Sequence, residues 1–306
     1  MSTPPRLIRP NATYLVTRRV EGRRFLLRPD QAFNRLFLYV LTHRLNRHGI
    51  ELHAVVVMSD HYHLVISVPD ENVSDLMREL NETLSKAIKV LRPHARGVVW
   101  EPGGLGITEL HGVDAIVHEI AYCIVNPVKA GLVYRPEDWP GVLTQVAQLG
   151  RTTLGAARPG YYFTGKDTWD EDASVGVRLP ASVVEHYGDA DRAREAVAIE
   201  VERQLEEARA HVKAQGWNVL GVIGVKNASP YQHARSDETS GGRRPHLATG
   251  PGQVALRFEK IRELKAFRRA YRAALTRWCA GERDVEFPAG TYWMRVHHGV
   301  RVAPFG

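Results

Sequence analysis

The chain of 306 residues carries 41 lysines and arginines against 34 aspartates and glutamates, a formal net charge of +7 with a pI near 9.5. Hydrophobic residues make up 44% and charged residues 25%, a balance that predicts buried cores and excludes a largely disordered chain. The two cysteines, Cys123 and Cys279, lie far apart, so neither a disulfide scaffold nor a cysteine zinc site can be built. No apolar run of about 18 residues occurs and the first residues lack an apolar signal core, so we expect a cytoplasmic protein without a membrane partner.

The positive charge is concentrated in two blocks. Residues 1–50 contain ten arginines and only two acids, a local balance of +8. The second block, 257–277, interleaves basic and aromatic side chains. Each block alone is equally compatible with a solvated helix face. Because guanidinium groups fit phosphate oxygens well, the two blocks together favour nucleic acid as the partner.

The first half of the chain has a regular alternation of strand and helix patterns. In chain order they are strand 13–18, helix 29–49, strands 51–58 and 63–68, helix 72–92, strand 98–100, a connector with Gly103, Gly104 and Gly106, and helix 113–125. The order strand, helix, strand, strand, helix, strand predicts a ferredoxin-like split βαβ fold of the α+β class. We expect one antiparallel sheet with helices on one face, followed by one extra helix.

The second half of the chain has a looser pattern, which predicts a domain boundary near residue 148. We therefore expect two domains, residues 1–148 and a mixed α/β extension over residues 149–306. The extension is expected to contain a charged helix 185–212, a polar loop 229–252, a basic helix 253–280 and a terminal β-hairpin made of 291–296 and 299–302, with its turn at His297, His298 and Gly299.

A His-x-His motif, His61 and His63, lies where one predicted strand turns into the next. Residues two apart in a strand project to the same side, so both imidazoles can bind one metal ion. The alternative is that both are simply partly exposed strand residues. Taken alone, the motif does not decide between these readings.

A second group of residues lies on the predicted third helix. Tyr122 and Asn126 are four residues apart and share a helix face if the helix continues to Asn126. The phenol can act as a nucleophile, and the amide oxygen can bind a metal ion. The alternative is that Tyr122 is a core residue and Asn126 caps a new helix that starts at Pro127.

The two motifs together resemble a known family. The His-x-His strand and the later sequence Tyr122-x-x-x-Asn126-Pro-Val-x-Ala-Gly-Leu-Val resemble the REP-associated tyrosine transposases, a branch of the single-tyrosine HUH transposases. The strand 14–18, the strand that ends at Met58, and Trp100 extend the resemblance to about residues 10–140. The fold that this family implies, ferredoxin-like, agrees with the order of elements read above.

The resemblance implies a function and a set of roles. His61 and His63 correspond to the metal-binding pair, Tyr122 to the nucleophile and Asn126 to a third ligand of Mg²⁺ or Mn²⁺. The implied reaction is metal-assisted cleavage and rejoining of single-stranded or hairpin DNA through a 5′-phosphotyrosine, in DNA transposition or REP-hairpin processing by a nucleoid-associated monomer or homodimer. The candidates for contacts with DNA phosphates are Arg18, Arg19, Arg23, Arg24 and Lys129.

The sequence departs from the family pattern at several positions. Leu15 and Asp60 replace residues that are often His and Asn, and the segment 101–110 lacks the expected basic and aromatic character. Two other functions are compatible with the motifs. One is a domesticated protein that binds DNA hairpins without turnover. The other is a phosphodiesterase in which a metal-bound water attacks and Tyr122 is structural.

Overall fold

The computed structural model describes residues 5–164, 169–234 and 245–305. Its first seven elements alternate strands and helices: β1 (Ala12–Val20), α1 (Gln31–His48), β2 (Glu51–Val57), β3 (His61–Val68), α2 (Val73–Leu91), β4 (Trp100–His111) and α3 (Val113–Lys129). The following elements are β5 (Thr153–Ala157), β6 (Asp172–Gly176), α4 (Ala181–Tyr187), α5 (Ala190–Ala214), α6 (Gly221–Asn227), β7 (Leu247–Thr249), α7 (Val254–Cys279), β8 (Glu286–Phe287), α8 (Tyr292–His298) and β9 (Arg301–Val302).

The central sheet has the strand order β2-β3-β1-β4-β7. Its first four strands pair antiparallel with their neighbours, and β7 joins the β4 edge in parallel. The order of these four strands, with α1 and α2 as the connections, is that of the ferredoxin-like split βαβ fold. The predicted α+β class is confirmed.

Helices cover both faces of this sheet, so the expectation of helices on one face was wrong. One core joins α1 and α2 to side chains such as Tyr62 and Leu64 of β3, whereas the other joins α3 to Val56 and Val65. Because successive strand residues point to opposite faces, a strand that is apolar on both faces must be covered twice. The unbroken apolar run 54–57 of β2 carries this signal.

Local sequence signals set the ends of α1. The Asp30 carboxylate accepts a hydrogen bond from the Phe33 amide and caps the start of the helix. Gly49 ends the helix with a left-handed backbone, φ 63°, which glycine adopts without a steric penalty. The cap and the glycine place β2 directly after the helix.

The predicted short strand 98–100 was wrong at its start, because β4 begins at Trp100 and runs through the residues expected to form a glycine-rich connector. The pairing of β4 with β1 shifts between Arg18, opposite Leu105, and Val20, opposite Trp100, so residues 101–104 form a bulge inside the strand. A Cβ atom at Gly104 would lie 2.8 Å from the Cβ atom of Glu101, so the bulge requires glycine there. Pairing with β1 therefore extends β4 beyond the glycines.

Three predictions for the second half were wrong, and one of them is the polar loop 229–252, because residues 247–249 form the strand β7. The helix expected over 185–212 is two helices, because the chain breaks at Gly188 with φ 91° before Asp189 caps α5. The expected terminal hairpin is the short helix α8, which Gly299 ends in a left-handed conformation, and β9 pairs with β8 in parallel. Part of the expected polar loop, 235–244, lies outside the described residues.

Elements after residue 148 pack closely on those before it. The β5–β6 hairpin packs on α1, α5 lies along α3, and β7 extends the central sheet. The division into domains at residue 148 stays a prediction. Among the helices of the described ranges, none is both long enough and apolar enough to cross a bilayer.

A buried histidine makes the stability of this fold depend on pH. Nδ1 of His53 on β2 donates to the Arg178 carbonyl at 2.8 Å, and its Nε2 accepts from the Ser67 hydroxyl at 2.7 Å. Burial lowers the pKa of His53 from 6.5 to about 4. The unfolded chain therefore binds an extra proton between these values, so stability falls as the pH drops from 6.5 to 4.

We expect His53→Gln to remove this contribution. The slope of unfolding free energy against pH should become shallower by about 1.4 kcal/mol per pH unit, equivalent to one proton, between pH 6 and 4.5. Urea unfolding at a series of pH values measures this slope for both proteins. Equal slopes for the variant and the unchanged protein would show that His53 is not the titrating group.

Candidate functional site

The histidines of the His-x-His motif lie side by side on β3. Their ring centroids are 4.9 Å apart, and the two rings are nearly perpendicular. His61 and His63 alternate with Tyr62, which points into the α1–α2 core, so both histidines project to the face that α3 covers. The sequence prediction that the two imidazoles share one side of a strand is borne out by this geometry.

Both imidazoles are held in place through Nδ1. The Nδ1 atom of His61 lies 2.8 Å from Oδ1 of Asp60, and that of His63 lies 2.8 Å from the Thr17 hydroxyl oxygen of β1. A hydrogen bond at one ring nitrogen fixes the orientation of the ring and leaves the other nitrogen for a metal ion. In this site a metal ion would be bound through Nε2.

Asp60 connects His61 to an arginine that precedes α1. Its second carboxylate oxygen accepts a hydrogen bond from Nε of Arg23 at 2.8 Å. Burial alone would raise the pKa of Asp60, but the His61 imidazole and the Arg23 guanidinium together lower that pKa far below its ordinary range. The carboxylate is therefore ionised at neutral pH, and its hydrogen bond to Nδ1 orients the His61 ring.

Helix α3 brings the candidate nucleophile to the same place. The rings of Tyr122 and His63 meet edge to face, with centroids 5.3 Å apart. The ammonium of Lys129, two turns further along the helix, lies 5.1 Å from the Tyr122 ring centroid and is otherwise exposed. Tyrosine, lysine and the histidine pair thus border one region of the α3 face.

Helix α3 continues through Asn126, where the alternative interpretation placed the start of a new helix. Asn126 and Pro127 are both buried inside α3, and Asn126 is therefore not an N-cap. Its spacing places it on the same helix face as Tyr122. The proline lies in the last turn of the helix, where it removes one backbone hydrogen bond.

A carboxyl group on α3 was missed in the sequence. Glu119 lies three residues before Tyr122 and so occupies the same helix face. Burial raises the pKa of Glu119, and the nearby His118 and Lys129 act in the opposite direction. Thr17 was missed as well, because its role depends on the register that places it opposite His63.

The five basic residues predicted to contact DNA lie in different environments. Arg19 is opposite His61 across the β1–β3 ladder, so it projects to the α3 face together with Lys129, whereas Arg18 projects to the other face. Arg23 pairs with Asp60. The guanidinium of Arg24 donates to the backbone carbonyls of Glu21, Arg96 and Val98 and holds two loops together.

The side chains available for a metal ion are few. In the described ranges, no three histidine, cysteine, aspartate or glutamate side chains come together as a metal cluster. The histidine pair and the amide oxygen of Asn126 are the donors that the predicted set supplies. Imidazole and amide oxygen are suitable ligands for Mn²⁺, and Mg²⁺ bound there would retain several waters.

The first part of the chain matches a family of transposases. Residues 10–105 match the family model described as "Transposase IS200 like". This match confirms the resemblance to that group, and it includes His61 and His63 but ends before α3 with Tyr122. No curated protein matches the chain significantly.

Several solved structures resemble part of the chain, and two of them each cover less than half of its length. A REP-associated tyrosine transposase bound to a REP hairpin is 22% identical, with a TM-score of 0.39, over 46% of this chain and 81% of that chain. A "putative transposase" from Deinococcus radiodurans R1 is 20% identical, with a TM-score of 0.28, over 35% of this chain and 84% of that chain.

The Thr17 contact gives a test of how the histidine pair is oriented. We expect Thr17→Val to weaken Mn²⁺ binding about 10-fold to 100-fold, because His63 loses the partner of its Nδ1 atom. Isothermal titration with Mn²⁺ measures this change. Thr13→Val, four residues earlier on the same face of β1, is the matched control and should leave the affinity unchanged.

Proposed function

We propose that the protein cleaves and rejoins single-stranded DNA with Tyr122 as the nucleophile. The observation that carries this proposal is the contact between the Tyr122 ring and His63, in a site where both histidines are oriented through Nδ1. A protein that only binds DNA has no physical need for an oriented histidine pair beside a tyrosine. The family match over residues 10–105 supports the same class of activity.

The reaction is a transesterification at phosphorus. The Tyr122 phenol loses its proton and its oxygen forms a bond to the phosphorus, while the bond to the 3′-oxygen of the preceding nucleotide breaks. The leaving oxygen takes up a proton and becomes a 3′-hydroxyl, and the 5′-phosphate stays on the tyrosine. Because one phosphoester replaces another, the energy needed for rejoining is retained without ATP.

The residues around Tyr122 have distinct roles in this proposal. His61, His63 and Asn126 would hold Mg²⁺ or Mn²⁺, which supplies Lewis-acid polarisation of the scissile phosphate when bound. Lys129 and Arg19 lie on the same face and would bind phosphate oxygens of the strand. Arg23 acts indirectly, since it holds Asp60 and through it His61.

The proposed partner is single-stranded or hairpin DNA, in transposition or in hairpin processing. The hairpin and the nucleoid location rest on the sequence resemblance and stay predictions. The segment 101–104, where the sequence departs from the family pattern, is the bulge of β4. The identity of the DNA site is therefore expected to differ more from the family than the chemistry does.

A covalent adduct is the direct test of this function. The protein is incubated with hairpin oligonucleotides labelled at the 5′ or 3′ end, from the flanks of its own gene, in Mn²⁺ or Mg²⁺. We expect a slowly migrating species on denaturing gels that keeps only the 3′ label, and a peptide with DNA attached at Tyr122 in mass spectrometry. Cleavage without an adduct would assign the attack to water, and binding without cleavage would assign a regulatory hairpin-binding function.

A further inference from the structure

A second cleft lies on the face of the sheet opposite the histidine pair. It has a volume of about 490 Å³ and is bordered by the N-terminal segment, β1, α2, α7 and α8. Arg18 projects into it from β1, whereas the neighbouring residues Thr17 and Arg19 project to the α3 face. The cleft is therefore separate from the site around Tyr122.

Two arginines form one wall of this cleft. Arg6 donates to the Leu105 carbonyl at 3.1 Å, and Arg18 donates to the Glu101 carbonyl at 3.1 Å. The Nε atom of each guanidinium is buried and makes no hydrogen bond in the described structure. Burial lowers the pKa of both arginines, and the charge of Arg18 lowers that of Arg6 further.

The positive charges of this wall are only partly balanced by carboxylates. Within the described part of the chain no carboxylate pairs with Arg6, whereas the charge of Glu101 partly offsets the lowering of the Arg18 pKa by burial. Arg78 also lines the cleft, but Asp75 and Glu79 neutralise it at 3.4 and 3.5 Å. Two adjacent guanidinium groups with unused donors attract an anion with several oxygens, such as a phosphodiester.

Aromatic side chains of the C-terminal region form the opposite wall. Trp293 of α8 is 51% exposed, and Tyr271 of α7 and Tyr292 lie beside it. The Tyr292 hydroxyl donates to Asp75 of α2, which fixes this part of α8 against the first half of the chain. The His297 ring packs on this indole with the ring centroids 3.7 Å apart. The exposed remainder of the indole, next to a cationic wall, provides a surface on which a nucleobase stacks.

We propose that this cleft binds one nucleotide of single-stranded DNA, with its phosphate on Arg6 and Arg18 and its base on Trp293. The inference rests on the proposed function for the class of ligand, since bases are available for stacking in a single strand but not in a duplex. The volume lies within the roughly 300–1,000 Å³ of typical ligand sites. In this proposal the C-terminal region binds the DNA strand at a point distant from the reacting phosphate.

The test is a binding titration of the full chain with fluorescein-labelled hexathymidylate, followed by anisotropy at several salt concentrations. We expect Arg6→Met to weaken binding about tenfold and to reduce the slope of log affinity against log salt by about 0.7. Trp293→Ala should also weaken binding about tenfold. Arg78→Met, which removes an already neutralised cation from the same cleft, should change the affinity by less than about twofold.

A hexamer without bases distinguishes phosphate binding by the arginine wall from base stacking on the aromatic wall. With this probe the effect of Trp293→Ala should disappear, whereas that of Arg6→Met should remain. Because Trp293 is half exposed, its loss leaves the core intact, and this keeps the test valid if Arg6→Met fails to fold. Unchanged binding of hexathymidylate by Trp293→Ala, or an equal loss with Arg78→Met, would overturn the proposal.

The outcome is independent of the covalent chemistry. If the unchanged protein forms no adduct with DNA, the titration still reports whether the cleft binds a single strand. If both cleft variants bind normally while the adduct forms, the cleft proposal fails and the proposed function stands.

Discussion

Tyr122→Phe is expected to abolish the covalent DNA adduct and to lower cleavage of a labelled hairpin at least about a thousandfold. The substitution removes only the hydroxyl oxygen, the atom that would bond to phosphorus. The phenylalanine ring can still contact the His63 ring and the Lys129 ammonium, so we expect binding and folding to be unchanged. Denaturing gels and a binding titration on the same preparation measure the two quantities separately.

The matched control for this variant is Tyr134→Phe. Tyr134 lies shortly after α3 and is 65% exposed, so the same chemical change there should leave the rate of adduct formation unaltered. Cleavage at the normal rate by Tyr122→Phe would show that water is the nucleophile and that Tyr122 is structural. Loss of adduct in both variants would indicate a general effect on the fold near α3.

Replacement of either histidine of the pair is expected to remove metal-dependent cleavage. His61→Ala and His63→Gln should each lower the rate at least about a hundredfold at subsaturating Mn²⁺, because each removes one of two imidazole donors. Binding of single-stranded DNA should change little, since the phosphate contacts are made by arginine and lysine. Initial cleavage rates across a Mn²⁺ series distinguish weaker metal binding from slower chemistry.

His298→Ala serves as the control for these histidine variants. His298 ends α8 and is exposed, far in sequence from β3. We expect it to leave the Mn²⁺ dependence unchanged. A normal Mn²⁺ dependence in His61→Ala and His63→Gln would remove the histidine pair from the proposed mechanism.

Most of the ferredoxin-like half was predictable because its pattern is strong and local. The helix over α1 follows from apolar spacing together with Asp30 and Gly49 at its ends. By contrast, β4 extends past its glycines because it pairs with β1 along its length, a long-range contact that composition does not record. The short apolar run of α8 is ambiguous between helix and strand at seven residues.

The main residues of the candidate site could be predicted from the sequence, but the contacts that orient them could not. His61, His63 and Tyr122 were singled out by their spacing together with the family resemblance, and the fold brings their rings together. The contact between Thr17 and His63 depends on strand register, which a single sequence leaves open. For the same reason the sequence could not separate Arg19, on the side of the histidines, from Arg18, on the opposite side.

The proline in the last turn of α3 weakens the backbone connection between the turn that carries Tyr122 and the turn that carries Lys129. Pro127 has no amide hydrogen, so the Cys123 carbonyl lacks its usual helical partner four residues later. The turn that carries Lys129 is consequently joined to the turn of Tyr122 by fewer backbone bonds than in a regular helix. A small tilt of the last turn would therefore move Lys129 while Tyr122, packed against His63, keeps its position.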